Sequence, residues 1–243
     1  MLEQVKIDPN NQVKAPDQLR LIKSFVRRSG RMTAAQKRGW DEKWSDWGLQ
    51  CNQDSSVLAA CFARKAPLVL EIGFGMGHSL VEMAQTEPEK NFIGVEIHKP
   101  GVGCLLHNAD KAELTNIRVF CDDAIDVLNQ AVPQDSLHRV QIYFPDPWHK
   151  KRHNKRRLVK ADFISLIHSR LEPGGILHLA TDWEPYAQEM LDLLSSAPGW
   201  RNQAGEKQFA PKPAFRPLTK FEKRGQNLGH SIRDLLFEKT GKE

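Results

Sequence analysis

One carboxylate, Asp146, stands between two prolines in Phe144-Pro145-Asp146-Pro147-Trp148, and the chain then runs straight into His149-Lys150-Lys151-Arg152-His153-Asn154-Lys155-Arg156-Arg157. Proline fixes φ and removes a backbone donor, so this segment cannot be absorbed into a helix or a sheet ladder. A stiffly held acid beside a dense cationic run suits a residue that acts on a base while its neighbours grip a nucleic-acid backbone.

A second constellation lies upstream. Glu71-Ile72-Gly73-Phe74-Gly75-Met76-Gly77 is a glycine-rich turn between an apolar run and a helical pattern. Glycines there let the backbone turn sharply and approach a ligand closely. The spacing is GxGxG, not the GxGxxG that cradles a pyrophosphate. Acids also fall at the ends of successive apolar runs: Glu71, Glu96 and Asp123. In an open parallel sheet ligands bind beyond the carboxyl ends of the strands, so these acids are expected to face one crevice. Glu96 can accept hydrogen bonds from two ribose hydroxyls and Asp123 from an adenine amino group, while Glu71 lies near the positive amino-acid end of the ligand. Each acid alone has a plainer reading as a helix cap or surface charge, and Asp122 or Asp123 can cap the helix that follows. Three in register favour a cationic cofactor. S-adenosylmethionine carries a sulfonium and an ammonium; NAD carries two phosphates that such acids would repel.

Asp146 ends the fourth strand in the same crevice. Its DPW setting resembles the N/D-P-P-aromatic segment of amino-methyltransferases but lacks the second proline. Attack on a sulfonium methyl is an in-line displacement in which positioning matters most. An exocyclic amine must lose a proton to react. Guanine N7 has a free lone pair, and positive charge grows on the ring instead. A fixed carboxylate on the guanine N1–H and N2–H edge orients the base and stabilises that charge. Trp148 can stack on the base or serve the core. The cations would hold phosphates, which position without specifying sequence.

These residues need a sheet to bring them together. Apolar runs at 67–72, 91–96, 117–121, 139–144 and 175–181 alternate with helical patterns, the first following the glycines to Ala84 and the others at about 101–114, 123–130, 158–171 and 184–196. That alternation predicts an α/β protein with a parallel sheet covered on both faces. Thr33 is placed to cap a helix through Trp47, with Trp40, Trp44 and Trp47 facing the core, and another helix is expected over 55–64. Pro198-Gly199 ends the alternation. The tail is expected to close with an antiparallel edge strand over 232–238.

The 243 residues suit one large domain, here 31–243, behind a flexible basic arm over 1–30. The formal charge is +5, with cations clustered at Arg20 to Arg38, Lys150 to Lys160 and Lys212 to Arg224. Any one cluster is read as readily as a solvated face as a polyanion site. Cys51, Cys61, Cys104 and Cys121 show no CxxC or zinc-finger spacing, so no metal is expected. Neither a secretory h-region nor a membrane-length apolar run is present, and the protein is expected to be cytoplasmic and away from membranes.

EIGFGMG (71–77), GVEIH (94–98), FPDPWHKKRHNKRR (144–157), LATDWEPYA (179–187), TKFEKRG (219–225) and RRSGRMT (27–33) closely resemble the bacterial tRNA (guanine-N7-)-methyltransferases. The resemblance runs from about residue 25 to the C-terminus. It implies a Rossmann-like class I methyltransferase fold, a mostly parallel seven-stranded sheet with helices on both faces, with S-adenosylmethionine as donor and position 46 of the tRNA variable loop as target. Carried onto matching positions, it implies cofactor contacts by Glu71, Gly73, Gly75, Glu96, Asp123 and Asp146, with Asp146 catalytic. Lys150, Asp182, Thr219, Lys220, Phe221 and Glu222 would hold the substrate guanine region. Arg152, His153, Asn154, Lys155, Arg156 and Arg157 would contact RNA. Read from the sequence alone, Asp182 can cap the next helix, and Thr219 and Glu222 have capping-box spacing. An adenine-N6 methyltransferase, a NAD-dependent oxidoreductase and a non-catalytic RNA-binding module are the competing readings, and monomer or homodimer stays open.

Overall fold

A computed structural model describes residues 24–25, 30–51, 58, 60–219, 222, 229 and 231–241. The arm expected over 1–30 lies outside the described residues, apart from 24, 25 and 30. So does much of the helix expected over 55–64, where residues 58 and 60 are helical but 61–64 form bends.

The described helices are α1 (Ala34–Trp47), α2 (His78–Thr86), α3 (Lys99–Lys111), α4 (Ala124–Gln130), α5 (Ala161–Arg170) and α6 (Glu184–Ser196). The strands are β1 (Gly48–Leu49), β2 (Leu68–Ile72), β3 (Asn91–Val95), β4 (Ile117–Phe120), β5 (Leu137–Tyr143), β6 (Leu171–Thr181), β7 (Trp200–Asn202) and β8 (Arg233–Lys239). They form one sheet in the order β1-β4-β3-β2-β5-β6-β8-β7. The five central strands are parallel, whereas β8 runs antiparallel to both β6 and β7. The six strands located in the sequence correspond to β2–β6 and β8, β7 supplies the seventh that the resemblance implies, and β1 adds a short eighth beside β4. Two expectations are corrected. The last strand is not an edge, because β7 pairs outside it, and β7 follows directly on the Pro198-Gly199 break. A three-residue strand is too short to show a period, which is why the pattern missed it.

Every residue of β3 is buried, as a strand covered on both faces requires. On one face Leu70, Ile72, Val140, Ile142, Leu177 and Leu179 pack under α4, α5 and α6. On the other, Val69, Phe92 and Val119 pack under α2 and α3, with Trp40, Trp44 and Trp47 of α1 against the same cluster. Thr33 caps α1 in a full capping box with Gln36.

Helices α1 and α3 meet through glycine. A Cβ on Gly39 would collide with the Gly103 carbonyl oxygen and stand 2.7 Å from His107 N. Both are backbone atoms, so neither can rotate away. Gly39→Ala should therefore lower stability by about 1–3 kcal/mol through overpacking. A fall in the denaturant midpoint at unchanged slope checks this; an unchanged midpoint contradicts it.

Candidate active site

The strand order reverses at β2, which has β3 on one side and β5 on the other. A crevice opens at such a switch point, beyond the carboxyl ends of the strands. Here it is a cavity of ≈ 390 Å³, walled by Ile72 and Gly73 at the end of β2, Val95 to His98 at the end of β3, Asp122 to Ala124 after β4, and Ile142 to Asp146 at the end of β5. Ser24, Phe25 and Leu158 complete the wall. Its size falls within the range of about 300–1,000 Å³ usual for small-molecule pockets.

Four carboxylates line it, Glu96, Asp122, Asp123 and Asp146, with no Lys or Arg among the described lining residues. That donor set fits a cationic ligand and opposes a phosphate. Glu96 accepts from Gly75 N at 2.9 Å, Ile97 N at 2.8 Å and His98 N at 3.0 Å, so it ties the glycine turn to the β3–α3 turn. Asp123 caps α4 by accepting from Ile125 N at 3.0 Å, and Asp122 accepts from Asp123 N at 2.9 Å. The cap and the cleft wall are thus the same residue. Gly73 and Gly75 have φ of +75° and +60°, and a Cβ on either would meet nothing within 4 Å. Left-handed backbone requires glycine there, and open space stands before it.

Glu71 lies elsewhere than expected. It is 2 % exposed and absent from the cleft wall, because the β2 pleat turns its side chain into the sheet interior. Gln141 Nε2 donates to it at 3.0 Å. Burial raises its carboxyl from the ordinary 4.5 to about 7, against the opposing hydrogen bonds of Gln141 and Ser79 and the charge of Arg139.

Asp146 is exposed on the cleft rim. The segment around it is strained: Phe144 and Trp148 have φ of +53° and +49°. Such conformations cost on the order of 1–3 kcal/mol each and persist only where neighbours enforce them. Here Phe144 N donates to Ala180 O at 2.7 Å, which continues the β5–β6 ladder. The cationic run folds back as a 3₁₀ turn over Lys151–Arg156. Arg156 stacks over the Trp148 ring at 4.0 Å, and Arg157 Nε donates to Pro147 O at 2.8 Å.

Burial divides that run. Lys150, Arg152 and Lys155 are exposed, whereas His153, Asn154 and Arg156 are half-buried. Arg156 also donates to Phe25 O at 3.3 Å. Desolvation and the cations around it hold the His153 pKa below its ordinary value. Arg157 differs from its neighbours in the run. It is 5 % exposed, ion-paired to Glu189 and stacked on Tyr186 at 4.8 Å.

Asp182 is half-buried in the β6–α6 turn, and the cap position of α6 falls on Trp183 instead. Thr219 Oγ1 accepts from Glu222 N at 3.0 Å, the contact that capping-box spacing anticipates. Glu222 is 2 % exposed, and its carboxylate is paired with Arg216 and with Lys212. Lys220 and Phe221 lie outside the described residues.

Residues 65–235 match a family model described as "Putative methyltransferase". A tRNA (guanine-N(7)-)-methyltransferase of Pseudomonas aeruginosa is 53 % identical over 222 residues, 91 % of this chain and 91 % of that one. The Escherichia coli protein of that name is 51 % identical over 222 residues, covering 91 % and 93 %. The Alcanivorax borkumensis one is 51 % identical over 221 residues, covering 91 % and 92 %. The chain belongs to the tRNA (guanine-N7-)-methyltransferase family. Among solved structures, the 16S rRNA methyltransferase KamB superposes with a TM-score of 0.57 at 14 % identity, over 76 % of this chain and 94 % of that one. The antibiotic-resistance methyltransferase Kmr gives 0.54 at 18 %, over 79 % and 95 %. At such identities the likeness is one of fold, the Rossmann-like class I arrangement.

Sequence reading missed a buried polar chain. Gln141 and Tyr143 lie in β5, His178 in β6 and Asp234 in β8. Tyr143 Oη lies 3.2 Å from Gln141 Oε1 and 3.0 Å from His178 Nδ1, and His178 Nε2 lies 2.7 Å from Asp234 Oδ1. The available signal was the period-two run of polar Arg139, Gln141 and Tyr143 inside an otherwise apolar strand.

The Glu71 end of this chain makes stability depend on pH. Between about 4.5 and 7 the folded protein keeps a proton that the unfolded chain releases. The contribution of this carboxyl is therefore complete below 4.5 and is lost as pH rises through 7. Relative to their difference at pH 4, Glu71→Gln should gain up to about 3 kcal/mol over wild type at pH 8. Denaturant titrations across pH check this, and parallel curves for the two proteins would refute it.

Proposed function

We propose that the chain transfers a methyl group from S-adenosylmethionine to N7 of guanine 46 in the variable loop of tRNA, in the cytoplasm, with Asp146 as the catalytic residue. The observation that carries this reading is the place of Asp146. It stands on the rim of a carboxylate-walled cleft and directly before an exposed cationic turn. The names of the relatives support tRNA as substrate and guanine N7 as acceptor.

S-adenosylmethionine, when bound, supplies an electrophilic methyl. Glu96 and Asp123 would hold it by accepting hydrogen bonds, and the backbone at Gly73 and Gly75 leaves room for it. Glu71 stands behind the wall as a buried acid that a nearby positive charge would favour ionising. Asp146 accepts from the N–H edge of the guanine, which orients the ring and stabilises the positive charge that develops as N7 attacks. No base is needed, since the N7 lone pair is free. Lys150, Arg152 and Lys155 hold phosphates beside the base, while Asp182 and the 219–222 segment border the guanine.

Radiolabelled transfer into unmodified tRNA bearing guanine or adenine at position 46, followed by nucleoside mass spectrometry, tests the reaction. 7-Methylguanosine should form only in the guanine tRNA; 6-methyladenosine would overturn the reading. Calorimetric titration should show binding of S-adenosylmethionine and none of NAD. Asp146→Ala should lower kcat/KM by about 10²–10³ while tRNA affinity changes less than about threefold, because the cations are untouched. Activity within severalfold of wild type refutes the assignment.

Neutralising Arg152 and Lys155 together should weaken tRNA binding and reduce the slope of log K against log salt by about 1 to 2. Arg157→Ala should instead lower thermal stability and leave that slope in place. A slope unchanged in the double variant counts against the grip.

A further inference from the structure

Residues 203–232, between β7 and β8, form a long connection that contains the 219–222 segment. It is fastened to the sheet by two consecutive side chains. The Phe215 ring meets His178 edge-on at 5.5 Å, and the Arg139 guanidinium lies over it at 4.0 Å. Arg216 is 1 % exposed and bridges two carboxylates. Its Nε and Nη2 approach Asp234 at 2.7 and 2.8 Å, and its Nη1 donates to Glu222 Oε2 at 2.6 Å.

This contact reaches the cleft. Asp234 pairs across the ladder with Ala180, whose carbonyl receives Phe144 N two residues before Asp146. Asp234 is also bound by His178, and His178 by the cleft-lining Tyr143. Burial opposes the charges on Asp234 and Arg216. Their mutual bonds, with His178 and Glu222, outweigh it and hold the carboxyl low and the guanidinium high.

Stability alone is a poor reason for such a group. Desolvation offsets most of the attraction in a buried ion pair, and apolar side chains of similar volume often serve as well. A planar fork between two carboxylates supplies direction instead, which neither an ammonium nor an alkyl chain reproduces.

We propose that Arg216 is a positioning residue for methyl transfer: by bridging Asp234 and Glu222 it sets Glu222, and Thr219 bonded to it, relative to Tyr143 and Asp146, where the guanine is received. The proposal rests on the guanine-site reading above. It acts through Glu222 and Asp234, with no contact of its own to either reactant.

Arg216→Lys keeps charge and length but loses the fork. It should melt within a few degrees of wild type and bind S-adenosylmethionine within about twofold. Its kcat/KM for tRNA should fall about 10- to 100-fold, since small misplacements near a reacting centre cost that much. The loss should lie in kcat more than in tRNA affinity, because the phosphate contacts are untouched. Glu222→Gln should show a similar loss, and the double variant little more than either single one. Arg216→Met gives the same test without the charge. A kcat/KM within threefold of wild type in both Arg216 variants overturns the proposal. So does a loss that tracks falling melting temperature and donor affinity in step, or failure of both variants to fold, since either makes the anchor merely structural. If wild-type protein methylates tRNA at an atom other than guanine N7, the functional reading fails, while the Arg216 comparison can still be read from that product.

Discussion

Neighbouring strands stand about 4.7–4.9 Å apart, and parallel ones all end on the same edge. Whatever residue follows each strand is therefore brought beside its counterparts, however far apart they lie in sequence. The cleft depends on that constraint. Residues after β2, β3, β4 and β5 form one wall because those strands are neighbours and because order reverses at β2. The cost is that Glu96, Asp122, Asp123 and Asp146 are crowded together. Backbone N–H groups at the strand-to-helix turns offset part of the repulsion: Glu96 takes three of them, and Asp122 and Asp123 one each. A cationic ligand completes the compensation, and an anionic one would worsen it.

Asp146 differs from its companions. It hangs on a strained segment, with left-handed aromatic residues on both sides, and is held from outside the sheet. Arg157 grips the Pro147 carbonyl and Arg156 covers the Trp148 ring, so the end of the cationic run is built into the support of the acid it follows. The front of the run, at Lys150, Arg152 and Lys155, faces outward. A polyanion on those exposed cations is consequently held close to Asp146 by covalent geometry and by the folded turn together. Adjacent residues of one run thus divide between binding and bracing, and burial decides which does which.

On the far side of β5 a second support meets the same edge. The polar chain from Glu71 through Gln141, Tyr143, His178 and Asp234 to Arg216 lies on the sheet face opposite Leu70, Val140 and Leu179, where part of the cover is irregular chain rather than helix. Buried polar groups are tolerable when each finds a partner, and a connected network specifies geometry where apolar packing would allow slippage. The Asp146 segment and Glu222 are in this way referred to the same strands.

Local patterns were legible wherever the physics is local. Apolar runs separated by helical periods marked β2 to β6, Thr33 marked the start of α1, and glycines marked the turn that needs positive φ. Acids at strand ends could be read as one group because parallel topology leaves them no other arrangement. Glu71 was misplaced because a one-residue step reverses the side of a pleated strand, and a run buried on both faces carries no mark of which side is which. Arg157 reads like its cationic neighbours until Glu189 and Tyr186, more than twenty-five residues away, enclose it. Likewise, nothing local in a long proline-rich connection indicates that Arg216 will sit between Asp234 and Glu222. Chain order and residue type determine which chemistry is available and roughly where each strand ends. Which charges are solvated and which are enclosed was settled only by packing between distant segments, because burial belongs to the surroundings of a side chain and not to the side chain.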